Sequence, residues 1–263
     1  MAILFDLDGV FYQADQSIAG AADVARWASD NAIPHLFLTN TTSKPRSSLV
    51  EKLARFDIVT SEAHIFTPPV AAVRWLRQHL AGKKIALFVP EKTRAEFAEF
   101  EIAQEDDQDV VAVIVGDMGS DWNFSTLNQA FRLLMCEPKP ELIALGMTRY
   151  WRAEDGLRLD VAPFVIALSH AAEVEPLVMG KPALSFYKAA IDILGESAKQ
   201  IVMVGDDIRG DVDGAQQAGL KAVLVRTGKF RKSDLEFGIQ PDAILDSVVD
   251  FPTWYEKNVL ADA

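Results

Sequence analysis

Short apolar runs alternate with helix-length amphipathic segments along almost the whole 263-residue chain. That alternation constrains the fold more than any other feature. A strand, a crossover helix and a second strand place both strands in the same direction, so the pattern predicts a parallel sheet with helices on its faces. Ile3–Phe5, His35–Leu38, Lys84–Val89, Val110–Val115, Glu141–Ala144, Ile201–Val204, Ala222–Val225 and Ala243–Leu245 read as strands. Ala21–Asn31, Pro45–Phe56, Pro68–His79, Lys92–Glu99, Ser125–Cys136, Pro163–Ala171, Ala183–Leu194 and Asp211–Ala218 read as helices. Pro45 suits a first helical turn, and Gly219 stops the helix before it.

The length exceeds one comfortable core. Ala81-Gly82-Lys83-Lys84 and Ala172-Glu173-Val174-Glu175-Pro176 are the softest boundaries, and the segment between them has strands and helices of its own. The expected organisation is a Rossmann-like α/β core from residues 1–80 and 177–263, with an inserted α/β domain over 81–176.

The first apolar run ends in Asp6-Leu7-Asp8-Gly9. Side chains at i and i+2 point the same way while a strand lasts, so both carboxylates are expected to leave its carboxyl end together. Open α/β sheets bind ligands at that end. Adjacent carboxylates repel unless a cation or proton lies between them, and Mg²⁺ is a hard, oxygen-seeking ion that suits the place. The bland alternative is a turn cap beside a solvated acid. Thr39-Asn40-Thr41-Thr42 follows the second strand and offers hydroxyls, an amide and backbone N–H groups to an anion, or caps the next helix. Gly180-Lys181-Pro182 fixes a lysine just before a helix, either to neutralise phosphate charge or as a surface turn. Gly205-Asp206-Asp207-Ile208-Arg209-Gly210-Asp211 repeats the strand-then-acid pattern. If its strand neighbours the first, Asp206 joins Asp6 and Asp8 around one ion.

A net charge of −12 argues against nucleic acid and anionic membranes as partners. It also requires any phosphate site to be locally positive or to carry a metal. Cys136 is the only cysteine, so no intrachain disulfide and no cysteine metal site is expected. Leu127, Ala130, Phe131 and Leu134 recur beside it at helical spacing, which reads as packing. No apolar stretch reaches membrane-spanning length. An acidic residue as early as Asp6 leaves no room for a signal peptide, so a cytoplasmic location is expected.

Taken in order, Asp6-x-Asp8-Gly9, Thr39-Asn40, Gly180-Lys181-Pro182 and Gly205-Asp206-Asp207-x-x-x-Asp211 resemble the haloacid-dehalogenase (HAD) superfamily of phosphohydrolases. The insert between the second and third motifs is similar to its C2-capped, NagD-like branch, subclass IIA. Asp6-Leu7-Asp8-Gly9-Val10, Thr39-Asn40-Thr41-Thr42, Leu127-Asn128-Gln129-Ala130-Phe131-Arg132-Leu133-Leu134 and Gly205-Asp206-Asp207-Ile208-Arg209 resemble one group within it most. That is the haloacid-dehalogenase-like hydrolase domain-containing protein 2 group, with its phospholysine/phosphohistidine/pyrophosphate phosphatase relatives. Asp160-Val161-Ala162-Pro163 departs from a glycine-rich segment of those relatives, and Leu168-Ser169-His170 from their Leu-Glu-Tyr.

The resemblance implies a HAD fold with a C2 cap and an Mg²⁺-dependent phosphatase acting on small phosphorylated molecules. It implies Asp6 as nucleophile and Asp8 as proton carrier. Thr39, Asn40 and Lys181 would hold the phosphoryl group. Asp6, the backbone carbonyl of Asp8 and Asp206 would hold the metal, with Asp211 supporting them. It also implies pairing of two copies through the cap, and a loop over the aspartates corresponding to Gly146–Arg152, where Arg149, Tyr150 and Trp151 would select the leaving group. The competing readings are a phosphotransferase or phosphonate-cleaving enzyme, and a silent binding protein of the same fold. Retention of every motif residue weighs against the last.

Overall fold

The computed structural model describes residues 1–104, 107, 109–153 and 155–260, excluding the side chains of residues 152, 153 and 260. Six parallel strands form the larger sheet, in the order Ala243–Leu245, Lys221–Val225, Ile201–Gly205, Ala2–Asp6, His35–Leu38, Ile65–Phe66. Strand Ala2–Asp6 pairs on one side with Ile201–Gly205, placing Phe5 opposite Val204, and on the other with His35–Leu38, placing Phe5 opposite Phe37. Chain order reverses direction between Ala2–Asp6 and Ile201–Gly205. That switch point opens a crevice at the carboxyl ends of the two strands, where open α/β sheets bind their ligands. The strands are apolar on both faces because helices cover both. Phe5, Phe11, Phe37 and Phe251 are fully buried, and Phe5 meets Phe11 edge to face with ring centres 5.3 Å apart.

A second parallel sheet has the order Leu177–Val178, Glu141–Ala144, Ala112–Val115, Ile85–Phe88. Val113, Val115, Leu142 and Ala144 build its core with Phe88 and Trp122. Trp122 stacks on Phe164 at 4.7 Å. Tyr150–Ala153 and Gly156–Leu159 form an antiparallel hairpin.

The chain divides into two compact units: Met1–Thr39, Arg46–Phe66 and Lys181–Ala263 form one, and Asn40–Pro45 with Thr67–Gly180 the other. The divisions therefore fall near residues 66 and 180, not at 80 and 176. Helix Pro68–His79 belongs with the second unit, where Arg77 makes a two-bond pair with Glu99 at 2.5 Å.

Most expected elements are present within a few residues of their expected ends. Lys92–Glu99 is instead a short α-turn, Glu91–Arg94, followed by the 3₁₀ turn Ala95–Phe97. The helix expected from Asp211 starts earlier, as wide turns over Ile208–Asp213. The two-residue strands Ile65–Phe66 and Leu177–Val178 and the hairpin Tyr12–Ser17 have no counterpart in the sequence pattern. In the acidic stretch Glu105-Asp106-Asp107, which the sequence suggests is a solvated loop, Glu105 and Asp106 lie outside the described residues. Asp107 is within ion-pair distance of Lys84, at 3.2 Å.

Candidate active site

Asp6 is the last residue of its strand, and Asp206 follows directly on the neighbouring one. One carboxylate oxygen from each of Asp6, Asp206 and Asp211 lies within 4.8 Å of the others, and all three residues are buried. Lys181 arrives on the segment before helix Leu184–Leu194. Its ammonium donates to Asp6 Oδ1 at 2.5 Å and to Asp211 Oδ1 at 2.6 Å. Asp211 Oδ2 accepts the backbone N–H groups of Asp206 and Asp207, both at 3.1 Å. Asp211 thus fastens the lysine with one oxygen and the turn after the strand with the other. The turn is held from below as well, because the Tyr187 hydroxyl donates to the Gly210 carbonyl at 2.8 Å.

Asp206 is gripped from a third strand end. The Lys229 backbone N–H donates to Asp206 Oδ2 at 2.6 Å, and the Thr227 hydroxyl donates to the Gly9 carbonyl at 2.5 Å. Gly9 and Gly228 close around this carboxylate with φ of +89° and +66°. A Cβ on either would lie 2.0 Å from Asp206 Oδ2, so only glycine fits both the backbone angle and the space.

The electrostatics are those of a cation site. Asp206 Oδ1 is buried with no hydrogen-bond partner among the described residues, a costly state for a carboxylate oxygen. Burial, reinforced by Asp6 and Asp211, pushes the Asp206 carboxyl up to about 8. Burial likewise raises Asp211, to about 6, although Lys181 counteracts it. Burial pulls the Lys181 ammonium down, but Asp211 and Asp6 outweigh it and hold it well above its ordinary value. An all-oxygen donor set with one orphaned buried oxygen and excess negative charge fits Mg²⁺, which takes few protein oxygens and keeps several waters.

The other sequence candidates are placed differently. Asp8 lies beyond the end of the strand and is exposed, so the same-face argument does not reach it. Its backbone bridges to Tyr12, and the three-carboxylate group does not include its side chain. Thr39 is buried and its N–H donates to the Phe66 carbonyl at 3.1 Å. Asn40 is exposed and begins the first segment of the second compact unit. Arg149, Tyr150 and Trp151 follow strand Glu141–Ala144 and enter the hairpin, with the Arg149 guanidinium 5.8 Å from the Tyr150 ring centre. The side chain of Arg152, counted in the same stretch, lies outside the described residues.

Sequence reasoning missed Tyr187 and the segment Thr227-Gly228-Lys229. Tyr187 sits among Phe186 and Ala190 on an apolar helical face and reads as core. The second signal was available: a glycine at the end of strand Lys221–Val225, on the ligand-binding side of the sheet.

Fold and site together define a doubly wound α/β enzyme with carboxylates and an ammonium gathered at its switch point. Two family comparisons agree. The Haloacid dehalogenase-like hydrolase family matches residues 3–103, and a HAD-hydrolase-like family matches residues 178–251. The phospholysine phosphohistidine inorganic pyrophosphate phosphatase of Homo sapiens is 36% identical over 252 residues, covering 94% of this chain and 90% of that protein. Haloacid dehalogenase-like hydrolase domain-containing protein 2 of Mus musculus is 35% identical, covering 89% and 87%. Among solved structures, p-nitrophenyl phosphatase from Archaeoglobus fulgidus superposes with a TM-score of 0.87 at 26% identity, over 96% of this chain and 98% of that one. The chain belongs to the haloacid-dehalogenase superfamily, in its NagD-like subclass IIA, and is a phosphatase of that family. No helix among the described residues is long and apolar enough to cross a membrane.

Proposed function

We propose that the chain is an Mg²⁺-dependent phosphatase that hydrolyses small phosphorylated molecules through an aspartyl-phosphate on Asp6. The observation that carries this reading is the buried group of Asp6, Asp206 and Asp211 with Lys181 bonded to two of the three.

Each residue has work suited to its surroundings. The Lys181 ammonium bonds Asp6 Oδ1 and leaves the second oxygen of this carboxylate to attack phosphorus. As the attack proceeds, the same ammonium offsets the charge gathering on the phosphoryl oxygens. Asp8, exposed and outside the carboxylate group, exchanges protons with water; it protonates the leaving oxygen and then deprotonates the hydrolytic water. Thr39 and Asn40 orient the phosphoryl oxygens. Asp6, Asp206 and the Asp8 carbonyl would hold Mg²⁺, with Asp211 behind them. The ion supplies charge neutralisation, without which a carboxylate cannot approach a phosphate dianion. The name of the human relative, a phospholysine phosphohistidine inorganic pyrophosphate phosphatase, supports P–N and P–O–P bonds alongside phosphoesters as candidate targets. Two copies are proposed to pair through the second unit, which light scattering at micromolar concentration tests.

The central experiment is hydrolysis of p-nitrophenyl phosphate. EDTA should abolish it and added Mg²⁺ restore it. Asp6→Asn should remove turnover while the protein stays folded, because the amide is nearly isosteric but a very poor nucleophile. Full activity in metal-free protein, or an Asp6→Asn variant within about tenfold of the parent, would overturn the reading.

A further inference from the structure

The parallel sheet does not hold the proton carrier of the scheme above. Asp8 lies past the end of strand Ala2–Asp6, and it is exposed. Its place is set by the turn and hairpin that follow. The Gly9 N–H donates to the Tyr12 carbonyl at 2.7 Å, the Phe11 N–H donates to the Leu7 carbonyl at 2.9 Å, and the Asp8 backbone bridges to Tyr12. The hairpin itself is short, with strands Tyr12–Gln13 and Gln16–Ser17. A two-stranded piece of that length is at best marginal alone. Its turn is exposed, and Ala14 sits there with φ of +51°, a left-handed angle that is unfavourable for a residue with a Cβ. Such a turn needs a tether from outside.

Lys52 supplies one. It lies in the last turn of helix Arg46–Ala54, in the same compact unit as the hairpin. A lysine in a last turn ordinarily reaches into water and complements the helix dipole. This one is drawn inward, with its side chain 13% exposed. Its ammonium lies 3.9 Å from the centre of the Tyr12 ring, donates to the Ala14 carbonyl at 2.7 Å and stands 3.6 Å from Asp15 Oδ1. One cation therefore meets the first strand of the hairpin through a ring face and the turn through a carbonyl and a carboxylate. An ammonium over an aromatic face gains strength as water is removed from it. Phe56, just past the helix, packs on the same ring with centres 5.6 Å apart. Burial raises the Tyr12 phenol, and the charges of Asp8 and Asp6 raise it further, so the clamped ring stands within electrostatic reach of both aspartates.

We propose that Lys52 is a positioning residue: by clamping the Tyr12 ring and the Ala14 carbonyl, it holds the turn that carries Asp8 and so fixes this carboxylate at the leaving oxygen. The task of Asp8 rests on the phosphatase reading above, whereas the clamp is a property of the fold.

The test compares phenyl phosphate with p-nitrophenyl phosphate in excess Mg²⁺. p-Nitrophenolate departs readily without a proton, whereas phenolate leans on the proton carrier. Lys52→Met and Tyr12→Leu should each lower kcat/KM by about tenfold on phenyl phosphate and by no more than about threefold on p-nitrophenyl phosphate. Tyr12→Phe keeps the ring face and should stay within about twofold of the parent on both. Equal losses on the two esters in Lys52→Met, or no loss on phenyl phosphate, overturn the positioning role. A Tyr12→Phe variant as impaired as Tyr12→Leu overturns the ring contact. Hydrogen exchange supplies a readout that needs no turnover. The Gly9 and Ile18 N–H groups, bonded to the Tyr12 and Phe11 carbonyls, should exchange about tenfold faster in Lys52→Met, while the amides of strand Ile201–Gly205 keep their parent rates. If the parent hydrolyses neither ester but this local exchange rises, the phosphatase reading falls and the clamp stands. Unchanged exchange at Gly9 and Ile18 overturns the clamp.

Discussion

The chain builds loops at the carboxyl ends of two parallel sheets and treats them in opposite ways. On the larger sheet, the side chains of Lys181, Asp6 and Asp211 are almost fully buried and pair with one another. Charges in that setting tolerate one arrangement only, because each lost partner leaves another buried and uncompensated. On the smaller sheet, the hairpin after Glu141–Ala144 leaves Tyr150 52% and Leu157 63% exposed. The Arg149 and Arg158 guanidinium carbons lie 5.8 Å and 5.9 Å from the Tyr150 and Trp151 ring centres, and Arg158 pairs at the surface with Asp155 at 2.7 Å. The contrast separates two tasks. A buried, interlocked group fixes a reaction, while an exposed hairpin on a rigid sheet can change its side chains without disturbing the chemistry.

The sharpest way to break this comparison is to cut the interlock. Lys181→Met leaves Asp6 and Asp211 buried together without their shared cation. We expect kcat to fall by about a thousandfold or more, with a lowered melting temperature. Lys181→Arg should not rescue it, since a planar fork cannot occupy the position of a point-like ammonium between two carboxylates. Activity within tenfold of the parent would show that the group tolerates rearrangement after all.

A smaller perturbation tests whether the grip on Asp206 matters. In Gly228→Ala the new Cβ meets Asp206 Oδ2 and would lie 2.5 Å from the Gly9 Cα, so backbone must move. Overpacking and positive φ together should cost about 1–3 kcal/mol of stability. Displacing the carboxylate should weaken Mg²⁺ binding by about tenfold or more. An unchanged Mg²⁺ titration would mean that Asp206 holds its place without the glycines.

The third test is thermodynamic. The Asp206 carboxyl is raised to about 8 and that of Asp211 to about 6, chiefly by burial. In the unfolded chain both titrate near 4. Between those values the unfolded state has released protons that the folded state keeps, so these groups make stability fall as pH rises from about 4 to about 8. Lys181 is also raised and so acts in the same sense, but from an ordinary value near 10, above this window. The melting temperature of metal-free protein should drop across that range, and saturating Mg²⁺ should flatten the drop. Calorimetry at pH 7 in two buffers of different ionisation enthalpy should reveal proton release on Mg²⁺ binding. A metal-free stability that climbs from pH 5 to 8 would contradict the burial described for Asp206.

Much of the buried region was legible in the sequence because its signals are local. A buried strand leaves an apolar run, and an acid or glycine at its end marks the ligand side of the sheet. The switch point then follows from chain order. What was not legible depends on contacts between distant segments. Asp211 looked like support for a metal, and only the folded chain shows it bonded to Lys181, 30 residues away. Tyr187 carries no mark that separates it from packing. Strands as short as Ile65–Phe66 have too few residues to show a period. Helix Pro68–His79 falls in the expected core segment, because its pattern says amphipathic without saying against what.

The gentlest expected effects fall on the hairpin. The resemblance implies that the stretch beginning at Gly146 selects the leaving group, and the hairpin chemistry suits that task. Trp151 is 43% exposed, and the Arg158 guanidinium carbon lies 5.9 Å from the centre of its ring. Arg149 lies by Tyr150 in the same manner. An arginine there can pair with an anionic group and an aromatic face can cover a planar one. Neither side chain belongs to a core, so Arg149→Ala and Trp151→Ala should fold normally, each within about 0.5 kcal/mol of the parent. On p-nitrophenyl phosphate both should run within about threefold of the parent rate, whereas on the best natural substrate at least one should lose about tenfold, mostly in KM. That split would place selection on the exposed edge and reaction on the buried one. Equal losses on both substrates would show that the hairpin acts on the chemistry itself, and no loss on either would move selection to another part of the second unit.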